Sequence, residues 1–266
     1  MPLPSYAFVS VFAWPADWKR EQMVDALARC VGIDPADGAM IAARPAPLAV
    51  CRMEERAAGA AVRSLRDVSV RAFAPTQRQI IGMDKPVLAK RLIAPRAGMT
   101  AFGVEPWRGE TVAVEPGEVT LIVRAAAAST RSTAADPVTE VRFDAVTGAM
   151  HLERIEGPAK RKALAQVIEL HTLQGARVRI DSNKFSFDVL GHARELADSV
   201  NAELLAGKLT AAMPRATVDL GFETFRAPPG AVRALDPGAP LARSRMPEFE
   251  FYSAWRGILH RLVLGT

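Results

Sequence analysis

The chain has 266 residues, of which 49% are hydrophobic and 24% charged, the make-up of a globular protein able to bury one large core or two modest ones. That composition excludes disordered, collagen-like and disulfide-scaffold chains. With 34 basic against 29 acidic residues the net charge is only +5, so a nucleic-acid partner is not expected.

Residues 5–75 read as a small unit. Tyr6, Phe8, Ser10, Phe12 and Trp14 alternate with Ala7, Val9, Val11 and Ala13, so the first strand is apolar on both faces and both want cover. Asp17 is the expected cap of a helix from Trp18 to Val31, because Met23, Leu27, Cys30 and Val31 recur at helical spacing and Gly32 suits a left-handed stop. Asp34-Pro35 opens a second, short helix, proline giving up a donor that the first turn leaves unpaired anyway. A strand over 48–52, a helix over 54–66 striped by Ala58, Ala61, Val62 and Leu65, and a strand over 68–74 complete a βααβαβ order.

Residues 76–98 carry Arg78, Lys85, Lys90, Arg91 and Arg96 among prolines and glycines and read as a basic connector. From 99 to 225 the pattern becomes β-rich, with strands predicted over 99–104, 110–114, 120–126, 138–144, 164–173 and 176–181. Gln174-Gly175 marks a hairpin turn. A closing helix over 199–213 carries a stripe of Val200, Leu204, Leu205, Leu209 and Met213. Residues 226–248 are rich in proline and glycine and read as a linker. Residues 249–266 form a docking segment in which Trp255, Ile258, Leu259, Leu262 and Val263 stripe a helix over 253–264. So short a helix is marginal in water, so it is expected to pack into an apolar groove of its own chain or of a second copy. The fold class is therefore α+β: a three-stranded βααβαβ domain, an antiparallel β-rich domain with a closing helix, and a C-terminal amphipathic helix.

The βααβαβ order, with Gly32-Ile33-Asp34-Pro35 joining its first two helices, resembles in architecture the C-terminal domain of the bacterial ribosomal stalk protein over about a quarter of the chain. That family binds translation factors through a lysine-rich surface around these helices. Here Lys19, Arg20, Arg29 and Arg44 stand among Asp17, Glu21, Asp25, Asp34 and Asp37, so the resemblance implies the fold and not the partner. Residues 99–225, several strands closed by one helix, weakly resemble a pleckstrin-homology-like barrel.

The signatures of strong catalytic chemistry are missing: no phosphate loop, no paired-histidine zinc helix, no Cys-x-x-Cys and no Gly-x-Ser-x-Gly elbow. His151, His171, His192 and His260 are too far apart in the chain to aim two imidazoles at one metal, so no metal and no cofactor are expected. His171 alternates with Glu169 on what reads as the solvated face of a strand. Asp181, Lys184 and Asp188 are the best acid–base candidates, although Asp181 and Asn183 also suit a turn that returns Phe185 and Phe187 to the core. Lys160, Arg161 and Lys162, read as a loop, are candidates for phosphate or a lipid headgroup.

Unpaired apolar surfaces outnumber convergent polar groups, so the first reading is a non-catalytic protein-interaction or scaffold protein. Its partner-contact candidates are Tyr6, Phe8, Phe12, Trp14, Trp255, Ile258, Leu259 and Leu262, and the partner is another protein or a second copy. The alternatives are a phosphate or headgroup binding module and an enzyme with dispersed catalytic residues. A cytoplasmic setting is expected, since two cysteines in apolar patterns suit reduced thiols. Neither a membrane span nor a secretory leader is expected: no stretch reaches about 18 uncharged apolar residues, and the segment from Tyr6 to Trp14 lacks a basic lead-in and a small-residue cleavage site.

Overall fold

Backbone positions are described by the computed structural model for residues 5–95, 100–132, 138–143, 150–155, 160–232 and 245–265, and side chains for those among them outside 128–163. Strand β1 (Tyr6–Ala13) is the centre of a three-stranded antiparallel sheet, flanked by β2 (Leu48–Glu54) and β3 (Arg71–Phe73) in the order β2-β1-β3. Helices α1 (Arg20–Val31), α2 (Pro35–Ala42) and α3 (Glu55–Asp67) lie between these strands in sequence. Ala7, Val9 and Val11 face a core built from Ala26, Leu27, Ile41, Ala58, Val62 and Leu65. The Asp34 cap accepts from the Ala36 amide at 2.8 Å. Asp17, by contrast, caps nothing: α1 starts two residues later than expected, and the Gln22 side chain accepts from the Lys19 amide at 2.8 Å.

Residues 76–98 do more than connect. They hold a short helix α4 (Gln77–Ile81), capped by Thr76, and a strand β4 (Val87–Ile93). Lys90 and Arg91 hid this strand in the sequence, yet Ala89 and Leu92 are buried. It joins a seven-stranded sheet with β5 (Phe102–Pro106), β6 (Val112–Val114), β7 (Val119–Ser132), β10 (Lys160–Thr172), β11 (Arg177–Asp181) and β12 (Thr217–Asp219). The order is β12-β7-β10-β11-β4-β5-β6. The sheet is mixed rather than purely antiparallel, because β11 with β4 and β12 with β7 run parallel. A separate hairpin pairs β8 (Val138–Phe143) with β9 (Met150–Ile155). The turn expected at Gln174-Gly175 joins β10 to β11, with Gly175 at φ +95°, a conformation that suits a residue without Cβ.

One face of this sheet carries Ile122, Ile168, Leu170, Val178 and Ile180 against helix α5 (Asp198–Ala212). The stripe expected here holds for Leu205, Leu209 and Met213 but not for its other two members. Ala202, Leu205, Ala206 and Leu209 are buried, whereas Val200 and Leu204 are 45% and 39% exposed. The opposite face carries Leu121, Val123, Ala125, Ala165 and Val167, and helix α6 (Met246–Leu264) covers it.

Helix α6 is longer than the stripe suggested, beginning inside the segment read as linker. It also lies against Phe8 and Phe12 of the small sheet. Phe8 meets Phe251 edge-on at 5.0 Å between centroids, and the Trp255 indole donates to Ser10 Oγ at 2.9 Å. The layers therefore run α1–α3, small sheet, α6, large sheet, α5. The second face of β1 is covered by its own chain.

The aromatic row is divided between environments. Phe8 is fully buried. Tyr6 is half-buried under the Arg52 guanidinium, 3.7 Å from its ring centroid. Trp14 lies beyond the end of β1, past register shifts in both pairings, and stacks on Trp18 beside the α1–α3 core instead of continuing the row.

The Phe8–Phe251 contact ties the small sheet to α6. Phe8→Ala and Phe251→Ala are each expected to lower unfolding free energy by about 3–5 kcal/mol. The double variant should lose less than the sum, by about 0.5–1.5 kcal/mol. Urea titrations of the four proteins measure this, and strict additivity would show that the contact carries no energy of its own.

Candidate functional site

On β10 and β11 the side chains that alternate with the α5-facing residues are Glu169, His171, Arg177 and Arg179. A half-exposed sheet would place them in water. Here α6 crosses over them, and all four are at most 5% exposed. Glu169 accepts from Arg177 Nε at 2.7 Å, from Arg179 Nε at 2.6 Å and from Ser253 Oγ of α6 at 2.8 Å. Arg179 also donates to Glu250 of α6 at 3.0 Å, and Arg177 to the carbonyl of Asp84 at 3.2 Å. Burial alone would raise the Glu169 pKa, but Arg179 and then Arg177 outweigh it and hold the group at about 2.

His171 Nε2 lies 2.9 Å from Ser253 Oγ. A hydroxyl has one proton, and with that proton on Glu169 the imidazole must donate through Nε2. Nδ1 is then bare. It faces Gly257 so closely that a Cβ there would stand 2.5 Å from it. Burial first, and the neighbouring arginines in addition, push the His171 pKa down to about 4 against the pull of Glu169. The imidazole is thus neutral and locked. Serine, histidine and carboxylate meet, but the serine sits in the middle with its proton directed at the carboxylate. A nucleophile's serine needs the imidazole as its base and access for a substrate. This arrangement supplies neither, and it joins α6 to the sheet.

A second buried group completes the seam. Asp219 of β12 accepts from Tyr252 Oη and Arg256 Nε, both on α6, and from the Gly221 amide at 2.8 Å. Burial and then Asp219 raise the Tyr252 pKa far above its usual value. Arg256 and His260, which the sequence places on the helix's polar side, are 3% and 7% exposed.

The acid–base candidates are divided. Asp181 pairs with Lys184 at 3.5 Å and accepts from the Asn183 amide at 3.0 Å, shaping the turn that returns Phe185 and Phe187 to the core. Asp188 engages Ser186 at 2.6 Å and Arg194 at 2.9 Å instead. Lys160, Arg161 and Lys162 belong to strand β10, opposite Ser132, Arg131 and Thr130, rather than to a loop; their side chains lie outside the described residues, as does that of His151. Trp255, Ile258 and Leu259 are buried in the α6 core, while Leu262 is 37% exposed. Among the described residues no helix is long and apolar enough to cross a membrane, and no group of acidic, histidine or cysteine side chains is arranged to hold a metal.

The open concavity of interest lies elsewhere, where α1, α2 and β2 meet residues 226–229. It encloses about 640 Å³ and is lined by Ile33, Met40, Ile41, Val50, Cys51 and Pro228, among others. In its lining Asp34 and Asp37 stand where α2 begins and Arg44 just past where α2 ends, with Arg226 beside Arg44. Arg44 Nη1 lies 3.5 Å from the carbonyl of Arg226, and Arg226 Nη1 donates to the Phe225 carbonyl at 2.7 Å. Among the described residues neither guanidinium has a carboxylate partner. Burial, and then the charge of Arg226, lower the Arg44 pKa. Alternation and spacing could not reveal this groove, because its walls come from residues nearly 180 apart in sequence.

Comparison with family models, with curated proteins and with solved structures finds no significant match.

The seam makes stability pH-dependent with a definite sign. His171 at about 4 in the fold and near 6.5 when unfolded binds more protons in the unfolded state. Stability is therefore expected to be full above about pH 6.5 and to fall as pH drops toward 4, with Glu169 extending the loss from about 4.5 toward 2. Denaturation midpoints across pH 7 to 4 should flatten in His171→Gln. Gly257→Ala should destabilise by about 1–3 kcal/mol through overpacking, and by less in a His171→Ala background, where the colliding ring is gone.

Proposed function

We propose that this chain is a non-catalytic interaction protein that docks a partner protein in the groove between α2, β2 and residues 226–229. The observation that carries this reading is the contrast between its two polar regions. Glu169, His171 and Tyr252, whose protonation is most strongly shifted, are buried and engaged in the α6 seam, and the cavity of about 360 Å³ at its edge is lined by Arg177, Arg179 and Glu250 rather than by them. The open groove is lined chiefly by apolar side chains, with Met40 65% exposed beside it. Burial raises the Cys51 thiol of the groove to about 11, which keeps it protonated and a poor nucleophile, and an open apolar concavity with a few charges favours recognition. The partner-contact role expected of Phe8, Trp255, Ile258 and Leu259 passes to the groove, since those side chains are occupied within the chain. The free thiols of Cys30 and Cys51 fit a reducing, cytoplasmic setting.

Affinity purification of the tagged chain, followed by direct binding of the recovered partner to purified protein, tests the proposal. Met40→Asp places a charge in the groove at an exposed position and should leave the melting temperature unchanged. It is expected to weaken partner binding by about tenfold or more. A partner that binds Met40→Asp and the parent chain equally would overturn the assignment of the groove.

A further inference from the structure

Building on the docking reading, we infer that the groove takes an extended segment of the partner protein that sets an acidic side chain beside large apolar ones, with the acidic residue at the Arg44–Arg226 end. Two guanidinium groups held within each other's field repel, and the fold provides no carboxylate between them among the described residues. A ligand carboxylate relieves both at once through charge-assisted hydrogen bonds, for which the planar guanidinium fork is well suited.

Charge order along the groove sets the direction. Helix α2 has eight residues and spans about 12 Å at 1.5 Å per residue, with Asp34 and Asp37 in its opening turn and Arg44 just past its end. An extended chain covers that length in about four residues. Asp34 and Asp37 repel a uniformly acidic ligand, and the arginines repel a uniformly basic one. Between these ends lie Met40, Ile41 and Val50, which accept apolar side chains. Pro228 and Pro229 also line the groove and have no amide hydrogen to offer, so recognition comes from side chains rather than from strand pairing. The mixed charge also disfavours an anionic membrane surface, which would meet Asp34 and Asp37 together with the arginines.

Phage selection of random heptapeptides on the full-length protein, followed by calorimetric titration of the recovered peptides, tests this. The selected peptides are expected to share Asp or Glu next to two or more of Leu, Ile, Met and Phe. Changing that acid to its amide in the best peptide should weaken binding by about tenfold, the value of a charge-assisted hydrogen bond. The double variant Arg44→Gln/Arg226→Gln should bind the acid and amide forms alike, and inorganic phosphate at millimolar concentration should not displace the peptide. Peptides that lose binding in Met40→Asp yet show no preference for the acid would overturn the arginine assignment while leaving the docking reading intact. Peptides that ignore both Met40→Asp and the arginine variant, or a selection that recovers no common pattern, would overturn both. Displacement by phosphate alone would make the site an anion site and overturn the peptide assignment. Melting temperatures of all variants serve as the folding control.

Discussion

A helix with a sheet on each side has no solvated face to hold its polar residues. Helix α6 is nearly in that position: Phe249 and every residue from Phe251 to His260 are buried, and Glu250 alone in that stretch reaches solvent. Burying a polar group unpaired is costly, and the polar side chains there are engaged by the layers they meet, although Arg256 Nη1 is left without a hydrogen-bond partner among the described residues. Ser253 and Glu250 meet the Glu169–Arg179 group, Tyr252 and Arg256 meet Asp219, and the Trp255 indole meets Ser10. Replacing one member would strand the others, which is why such seams are specific even where their net contribution to stability is small. Gly257 belongs to the same constraint, since any side chain there would collide with His171.

This arrangement makes one body of what the sequence divides into a small domain and a β-rich one. Phe8 and Ala49 of the small sheet share a core with Leu121, Val123 and Val167 of the large sheet, and the shared material is α6. The chain's two ends therefore depend on each other: the first strand lacks cover on one face without the last helix, and the last helix, apolar toward both layers, would expose that surface without the sheets on either side. The segment after Phe225 has to run back past α2 and β2, and in doing so Pro228 and Arg226 become a wall of the groove. The groove is thus a by-product of how residues 226–229 pass α2 and β2.

Local pattern was a good guide wherever one element decides its own environment. Asp34-Pro35 opens α2, Ala58, Ala61, Val62 and Leu65 stripe α3, the Gln174-Gly175 turn joins β10 to β11, and the two apolar faces of β1 both find cover. It was a poor guide wherever a second layer intervenes. Strand β4 escaped notice because Lys90 and Arg91 interrupt its alternation, and the stripe expected on α5 was right for Leu205, Leu209 and Met213 but wrong for Val200 and Leu204, whose places are taken by Ala202 and Ala206.

The most instructive reversal concerns Glu169, His171, Arg177 and Arg179. Alternation correctly puts them on the face opposite Ile168, Leu170, Val178 and Ile180. That two-residue period is a local property of a strand, and the sequence by itself determines it, as it determines the α+β class and the need for cover over β1 and over the final helix. Whether the polar face meets water or a helix is decided by a segment about eighty residues further on, carrying Ser253 and Glu250 at matching positions. Likewise, Arg44 and Arg226 become neighbours only when the chain has closed. Periodicity reports which residues share a face; only the tertiary structure decides what lies against it, because that depends on contacts between residues far apart in the chain.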